Sequence, residues 1–243
     1  MSAINIKNLS KKYMNGTVAL SDINLDIADG DTIVLFGGTG AGKTTLLKII
    51  AGLVEEYEGE INLDGKCAKE LTVENRNVAF ATFDFMKRRQ AVYDVLAFPL
   101  RLRKLDGAYI NERVRSIADL LEIKDILYEK VAVLSRYIIA KVAIARALVR
   151  DAEIYIFDSL LEDLPQEHRY ELLLVIMKLR ERIKGTFIFA TEDYFTTLFI
   201  PGRIIVMNYG YIDKIGLAKE IYENGNAVAA KTILKKIGEN IYE

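Results

Sequence analysis

Residues 37–44 read Gly-Gly-Thr-Gly-Ala-Gly-Lys-Thr, the G-x-x-x-x-G-K-[ST] pattern without a mismatch. Such a loop needs a strand to deliver it and a helix to receive it, because its backbone N–H groups must converge on one point. Both flanks are present. Residues 31–36 (Asp-Thr-Ile-Val-Leu-Phe) form a short apolar run that reads as a buried strand. Residues 45–51 have helical apolar spacing, so a helix opens at the loop with its N-terminal dipole toward an anion. Gly37, Gly38, Gly40 and Gly42, with Thr39 and Ala41 between them, let N–H groups turn inward around phosphate oxygens. Lys43 is placed to reach β- and γ-phosphates, and the Thr44 hydroxyl to ligate Mg²⁺. Thr45 completes the candidate nucleotide-binding set. A chance glycine-rich turn is the alternative, and the strand–loop–helix order argues against it.

A chain of 243 residues with 51% hydrophobic content can bury a full core. The first ~65 residues are strand-rich, at residues 4–7, 17–27, 32–36 and 60–63, with Gly16, Gly30, Gly59 and Gly65 at the breaks. Helical spacing follows from about residue 93 to 149, clearest at residues 110–121 and 135–149. Then the pattern alternates: strand 152–157, helix 166–183, strand 186–190, strand 203–208. Alternation of this kind predicts a parallel sheet flanked by helices. The run Glu-Ile-Tyr-Ile-Phe-Asp at residues 153–158 ends a strand in a carboxylate. Asp158 is therefore a candidate Mg²⁺ ligand beside the loop, the alternative being an N-cap for the next segment. The net charge of −1 gives no basic field for nucleic acid, and the single cysteine, Cys67, fits a reducing compartment. No secretory signal or uncharged membrane-spanning stretch is read.

From about residue 3 to 225 the chain resembles the ATP-binding subunit of ABC transporters. Besides the two motifs, Lys12-Tyr13 stands where that family places an aromatic that stacks on adenine. Residues 142–148 (Val-Ala-Ile-Ala-Arg-Ala-Leu) match the helix after its signature loop, and residues 203–212 match its closing strands. Residues 216–222 resemble the segment that follows in importer ATPases of the sugar-uptake type; that subgroup carries a further C-terminal barrel, for which this chain is too short. The resemblance implies one ABC-type ATP-binding domain over residues 1–243. Its fold class is α/β: a P-loop NTPase core with an N-terminal antiparallel β-subdomain, an inserted helical subdomain at about 85–150 and a helical tail at about 217–243. It implies ATP and Mg²⁺ as cofactors, with Tyr13 and residues 37–45 on the nucleotide and Thr44 and Asp158 on the metal. It also implies a second ATP-binding subunit, the same or a different chain, membrane-spanning permease subunits, and a cytoplasmic location on the inner face of the membrane.

The departures from the family pattern matter equally. The signature loop Leu-Ser-Gly-Gly-Gln reads Leu-Ser-Arg-Tyr-Ile at residues 134–138. Arg136 and Tyr137 put bulk where close backbone approach to a partner's γ-phosphate is required, leaving Ser135 alone to reach it. The water-activating carboxylate after Asp158 is Ser159, which has no basic group near neutrality. The switch histidine is Glu192, whose charge repels phosphate. The glutamine linking Mg²⁺ to the membrane-facing loop should fall near Thr82 or Phe83, neither of which can do that job. The only histidine, His168, matches no family role and reads as a surface residue. No catalytic residue is assigned; Ser159 and Glu192 occupy the base and switch positions.

General-base catalysis contributes roughly 10²–10⁴-fold and a transition-state donor about 10²–10³-fold, and groups that act as a unit fail as a unit. The expectation is therefore Mg-ATP binding with hydrolysis poor or absent. A homodimer would lack base, switch and signature at both sites, and an intact partner would still face Arg136 and Tyr137. Two other readings stay open: an active ATPase using Glu162, Asp163 or Glu192 as substitutes, and a soluble nucleotide-sensing regulator. Basic clusters at residues 87–89 and 101–104 flank an apolar helix with Val95, Leu96, Phe98 and Leu100; they read as a solvated face or a docking face for a membrane subunit. Residues 227–241 read as a helix with a lysine face and no assigned function.

Overall fold

The computed structural model describes residues 3–223, and structural statements refer to those residues. The helix expected at 227–241 lies outside them. Strands β1 (Ile4–Lys12), β2 (Val18–Ile27), β4 (Glu58–Leu63) and β5 (Lys66–Cys67) form an antiparallel sheet in the order β2-β1-β4-β5. Alternate side chains are buried along it, Ile4 and Ile6 on β1 and Ile23, Leu25 and Ile27 on β2, as a sheet with one dry face requires.

A second sheet has six strands. They are β3 (Thr32–Phe36), β6 (Val78–Ala81), β7 (Ile154–Asp158), β8 (Thr186–Thr191), β9 (Arg203–Asn208) and β10 (Tyr211–Leu217). Their order is β10-β9-β3-β8-β7-β6; all neighbours are parallel except the edge pair β9–β10. Every residue of β3, β7 and β8 is buried, because both faces of this sheet are covered.

The two faces feed two cores. Ile33, Leu35, Ile156, Ile188 and Ile205 point toward the antiparallel sheet and helix α1 (Lys43–Ala51). Val34, Phe36, Phe157, Phe187 and Phe189 point the other way. There they meet α2 (Val92–Leu102), α3 (Gly107–Leu120), α4 (Arg136–Leu148) and α5 (Gln166–Arg182). Rings stack across β7 and β8, Phe157 on Phe189 at 4.8 Å and Tyr155 on Phe187 at 5.1 Å. Two short helices, α6 (Tyr194–Phe199) and α7 (Ala218–Glu223), close the described chain, with Tyr222 against Tyr194. This is the expected α/β architecture.

Several local expectations are corrected. Gly59 lies inside β4 and not at a break, at φ +90°, where a Cβ would stand 2.4 Å from the Asn8 carbonyl oxygen. The register shift where β4 pairs with β1, between Lys7 and Ser10, brings the two backbones together here and explains the glycine better than a chain break does. The loop helix starts at Lys43, two residues early, because the phosphate loop is its first turn. The helix expected at 135–149 is α4, which begins at Arg136 with Ser135 as its N-cap, so the residues of the signature-loop position form its first turn. Ser135 caps it by accepting from Ile138 N–H. Strand β6 was not anticipated.

Arg76 was also missed. Only 6% exposed, it donates to the Ile49 and Ile50 carbonyls at the end of α1 and to the Ala68 carbonyl beyond β5. A cation on those terminal carbonyls also matches the helix dipole. Arg76→Met keeps the stem but removes these bonds. It should lower unfolding free energy by about 3 kcal/mol, the scale of charge-assisted bonds, in urea titrations followed by circular dichroism.

Candidate functional site

The loop between β3 and α1 sits where the two sheets meet. Gly37 N–H donates to the Thr191 carbonyl at the end of β8, and Gly210 N–H donates to the Ala41 carbonyl. Gly42 has φ +98°, and a Cβ there would stand 2.5 Å from the Ala19 carbonyl oxygen. No side chain fits, so glycine is required by contact as well as by conformation.

Lys43 is 5% exposed, and its Nζ donates to the Gly37 carbonyl at 2.6 Å and the Gly38 carbonyl at 3.0 Å. The ammonium is thus held over the loop. Thr44 Oγ1 donates to Asp158 Oδ1 at 2.9 Å, joining the loop to the end of β7 across 114 residues. Asp158 is no N-cap; its carboxylate faces the loop. The pair offers two hard oxygens, the donor type that Mg²⁺ prefers. No group of three or more His, Cys, Asp or Glu side chains able to hold a metal occurs among the described residues. A cation held here would therefore complete its shell with waters and phosphate oxygens, which is the ordinary Mg²⁺ arrangement.

A cavity of about 280 Å³ opens over the loop, lined by Tyr13, Thr39, Lys43, Thr44, Thr45, Ser159 and Glu192 among others. Tyr13 stands at its mouth, half-exposed, with its hydroxyl 3.3 Å from Thr45 Oγ1 and the Lys11 ammonium 5.0 Å from its ring centroid. Glu192 is held from two sides: Thr39 Oγ1 donates to its Oε1 at 2.8 Å, and Lys43 Nζ lies 3.6 Å away. The structure therefore brings together Tyr13, residues 37–45, Asp158, Ser159 and Glu192.

The residues at 135–137 are engaged within their own chain. Ser135 Oγ accepts from Ile138 N–H at 3.4 Å as the cap of α4. The Arg136 guanidinium pairs with Asp163 and lies 3.4 Å from the Phe83 ring centroid. Tyr137 stacks on His168 at 4.3 Å. His168 is exposed as expected, but its ring has this partner. Thr82 is buried and caps the single turn at Phe83–Phe85. The polar group of that turn is Asp84, which pairs with Lys48 at 3.6 Å and was not singled out from the sequence.

A family model described as ABC transporter matches residues 20–161. The chain belongs to the ABC transporter family. Among curated relatives of this ABC chain, the sn-glycerol-3-phosphate import ATP-binding protein UgpC of Psychromonas ingrahamii is 34% identical, over all of this chain and 65% of the relative. The oligosaccharides import ATP-binding protein MsmX of Bacillus subtilis is 34% identical, over 92% of this chain and 62% of the relative. The ABC chain thus spans slightly less than two thirds of the length of these relatives. Among solved structures, the dimeric ATP-binding cassette MJ0796 bound to ADP and Pi has a TM-score of 0.79 at 25% identity, covering 88% of this chain and 98% of its own. No helix of this ABC chain is long and apolar enough to cross a membrane among the described residues.

Burial is the largest influence on Asp158 and pushes its carboxyl above the usual range; Thr44, Lys48 and Lys43 oppose it, and Asp84 adds to it. A carboxyl raised on folding favours the fold when protonated, and its ionisation erodes stability as pH climbs through the native value. Asp158→Asn keeps an acceptor for Thr44 without the charge. In metal-free buffer it should melt higher than the wild type at neutral pH, and the gain should vanish below the ordinary aspartate value. Calorimetry across that range checks both.

Proposed function

We propose that this chain is the ATP-binding subunit of an ABC importer, binding Mg-ATP and hydrolysing it poorly. The observation that carries the binding half is the cradle itself: Lys43 over the loop carbonyls and Thr44 bonded to Asp158 at 2.9 Å. The Gly37–Thr45 loop would hold the phosphates and Tyr13 the base. Thr44 and Asp158 would hold Mg²⁺, which neutralises phosphate charge when bound.

The weak-hydrolysis half rests on substitutions at the reacting end. Ser159 stands at the base position, a carboxylate at 192 faces the phosphate end, and Arg136 and Tyr137 stand where a partner's γ-phosphate needs glycines. The domain is read as one unit over residues 1–243, with its helical part at about 85–150. It pairs with a second ATP-binding subunit and docks on permease subunits at the cytoplasmic face of the membrane. The imported substrate class is a sugar or glycerol phosphate, by analogy with the named relatives.

Titration with a fluorescent ATP analogue in Mg²⁺ tests binding. Saturation is expected, and Lys43→Ala should weaken it roughly 10- to 100-fold, the loss of charge-assisted bonds to phosphate. Absence of saturable binding by the wild type would refute the assignment.

Steady-state hydrolysis by the purified chain should lie close to background. Ser159→Glu, Glu192→His, Arg136→Gly and Tyr137→Gly combined should raise it far more than any one change, because these groups act together. Brisk wild-type turnover in a phosphate-release assay would contradict the weak-hydrolysis reading.

A further inference from the structure

Among the described residues that line the cavity over the loop, Lys43 is the one cation and Glu192 the one carboxylate. The two are paired. Lys43 Nζ lies 3.6 Å from Glu192 Oε1, and Thr39 Oγ1 donates to the same oxygen at 2.8 Å. The remaining hydrogen bonds of Lys43 go to the Gly37 and Gly38 carbonyls. One carboxylate oxygen therefore takes both the loop hydroxyl and the loop ammonium. Those are the contacts that a phosphate oxygen would seek from the same end of the loop.

The backbone that carries Glu192 is fixed. Its N–H donates to Glu162 Oε1 at 2.7 Å. On one side, the Thr191 carbonyl accepts the Gly37 N–H, which joins it to the loop. On the other, Asp193 caps α6 by accepting from Thr196 N–H at 2.8 Å, and it pairs with Arg169 at 3.0 Å. Arg169 thus answers the charge of Asp193, while the charge of Glu192 is left facing the cavity. The Glu192 side chain is half-exposed, and an ion pair of that kind adds little to stability. Its placement bears on what the cavity can hold.

In a phosphate loop the backbone N–H groups cradle the α- and β-phosphates, and the lysine reaches the β- and γ-phosphates. A nucleoside diphosphate can be held by the N–H groups while Glu192 keeps its contacts. A third phosphate must take Lys43 and Thr39 away from Glu192 or lie against a like charge. We propose that the Glu192 carboxylate occupies the seat of the terminal phosphate, so that the site holds a nucleoside diphosphate in preference to a triphosphate. This rests on the reading of the cavity as an ATP site. Mg-ATP still binds through the loop, but its third phosphate adds nothing to its affinity. The preference and the weak hydrolysis then share an origin at residue 192, because the carboxylate crowds the phosphate whose transfer would be the reaction.

The test uses the full chain and displacement of a fluorescent ADP analogue by unlabelled ADP or ATP, the ATP being checked intact by chromatography afterwards. The wild type should bind ADP about tenfold or more tightly than ATP, the scale of one charge-assisted bond gained or lost. Glu192→Gln keeps an acceptor for Thr39 without the charge. It should move the ratio of the two dissociation constants about tenfold or more toward ATP, and Glu192→Ala should move it the same way. The wild-type preference should persist in EDTA, because it arises from the carboxylate and not from a bound metal.

Wild-type affinity for ATP equal to or tighter than that for ADP would overturn the proposal without recourse to any variant. A ratio unmoved in both Glu192 variants would overturn it too, as would a preference that disappears in EDTA. Failure of either nucleotide to displace the analogue, or of the analogue to bind at all, would instead refute the nucleotide-site reading beneath it.

Discussion

The close backbone contact at Gly42 sets the geometry of the whole site. A methyl group there would collide with the Ala19 carbonyl of the antiparallel sheet, so the phosphate loop lies directly against β2. From the other side the loop is bonded to the end of β8 through Gly37 and to the β9–β10 turn through Gly210. The loop therefore joins the two sheets, and its N–H groups inherit the rigidity of both. A helix with its N-terminus fixed this way presents its dipole in a defined direction, which is what phosphate recognition requires. Arg76 secures the opposite end of the same helix.

Around that joint the site divides into two regimes. The binding groups are held by short bonds between distant segments: Lys43 to loop carbonyls, and Thr44 to Asp158. The groups at the reacting end are satisfied by one another instead, Glu192 by Thr39 and Arg136 by Asp163. These exposed pairs contribute little to stability, roughly 0–1 kcal/mol each, so nothing in the fold demands them. They show that each substituted residue has found a local partner within this chain. Glu162 differs in having a backbone partner, its carboxylate accepting the Glu192 N–H at the switch position.

Much of this was legible in sequence for identifiable reasons. The loop could be read because strand, glycines and helix follow one another without interruption, and β7 and β8 because fully buried strands are continuous apolar runs. Asp158 could be placed because a carboxylate ends such a run. Strand β6 was not legible: its four residues, Val-Ala-Phe-Ala, carry two alanines and end a polar stretch. Arg76 was invisible because a charged residue in polar surroundings reads as surface. Gly59 looks like punctuation in sequence because the register shift between β1 and β4 that requires it is visible only in the sheet. The Glu162 contact could be suspected only as one of three carboxylates, since its bond to residue 192 spans 30 positions.

The position of β3 has a consequence for the order in which this chain can be assembled. Its five residues are all buried, yet its two neighbours in the sheet are β8 and β9, with Thr32 beside Phe187 and Ile33 beside Arg203. During synthesis the strand that carries the phosphate loop must wait for more than 150 further residues, the gap from Thr32 to Phe187, before either neighbour exists. Long-range parallel pairing of this kind is slow to form and leaves an apolar strand unpaired meanwhile. Nucleotide cannot help until the late strands arrive, because a ligand stabilises only the state that already holds its site. The newborn chain is thus most vulnerable while the segment that reads most clearly in its sequence is still without a sheet to join.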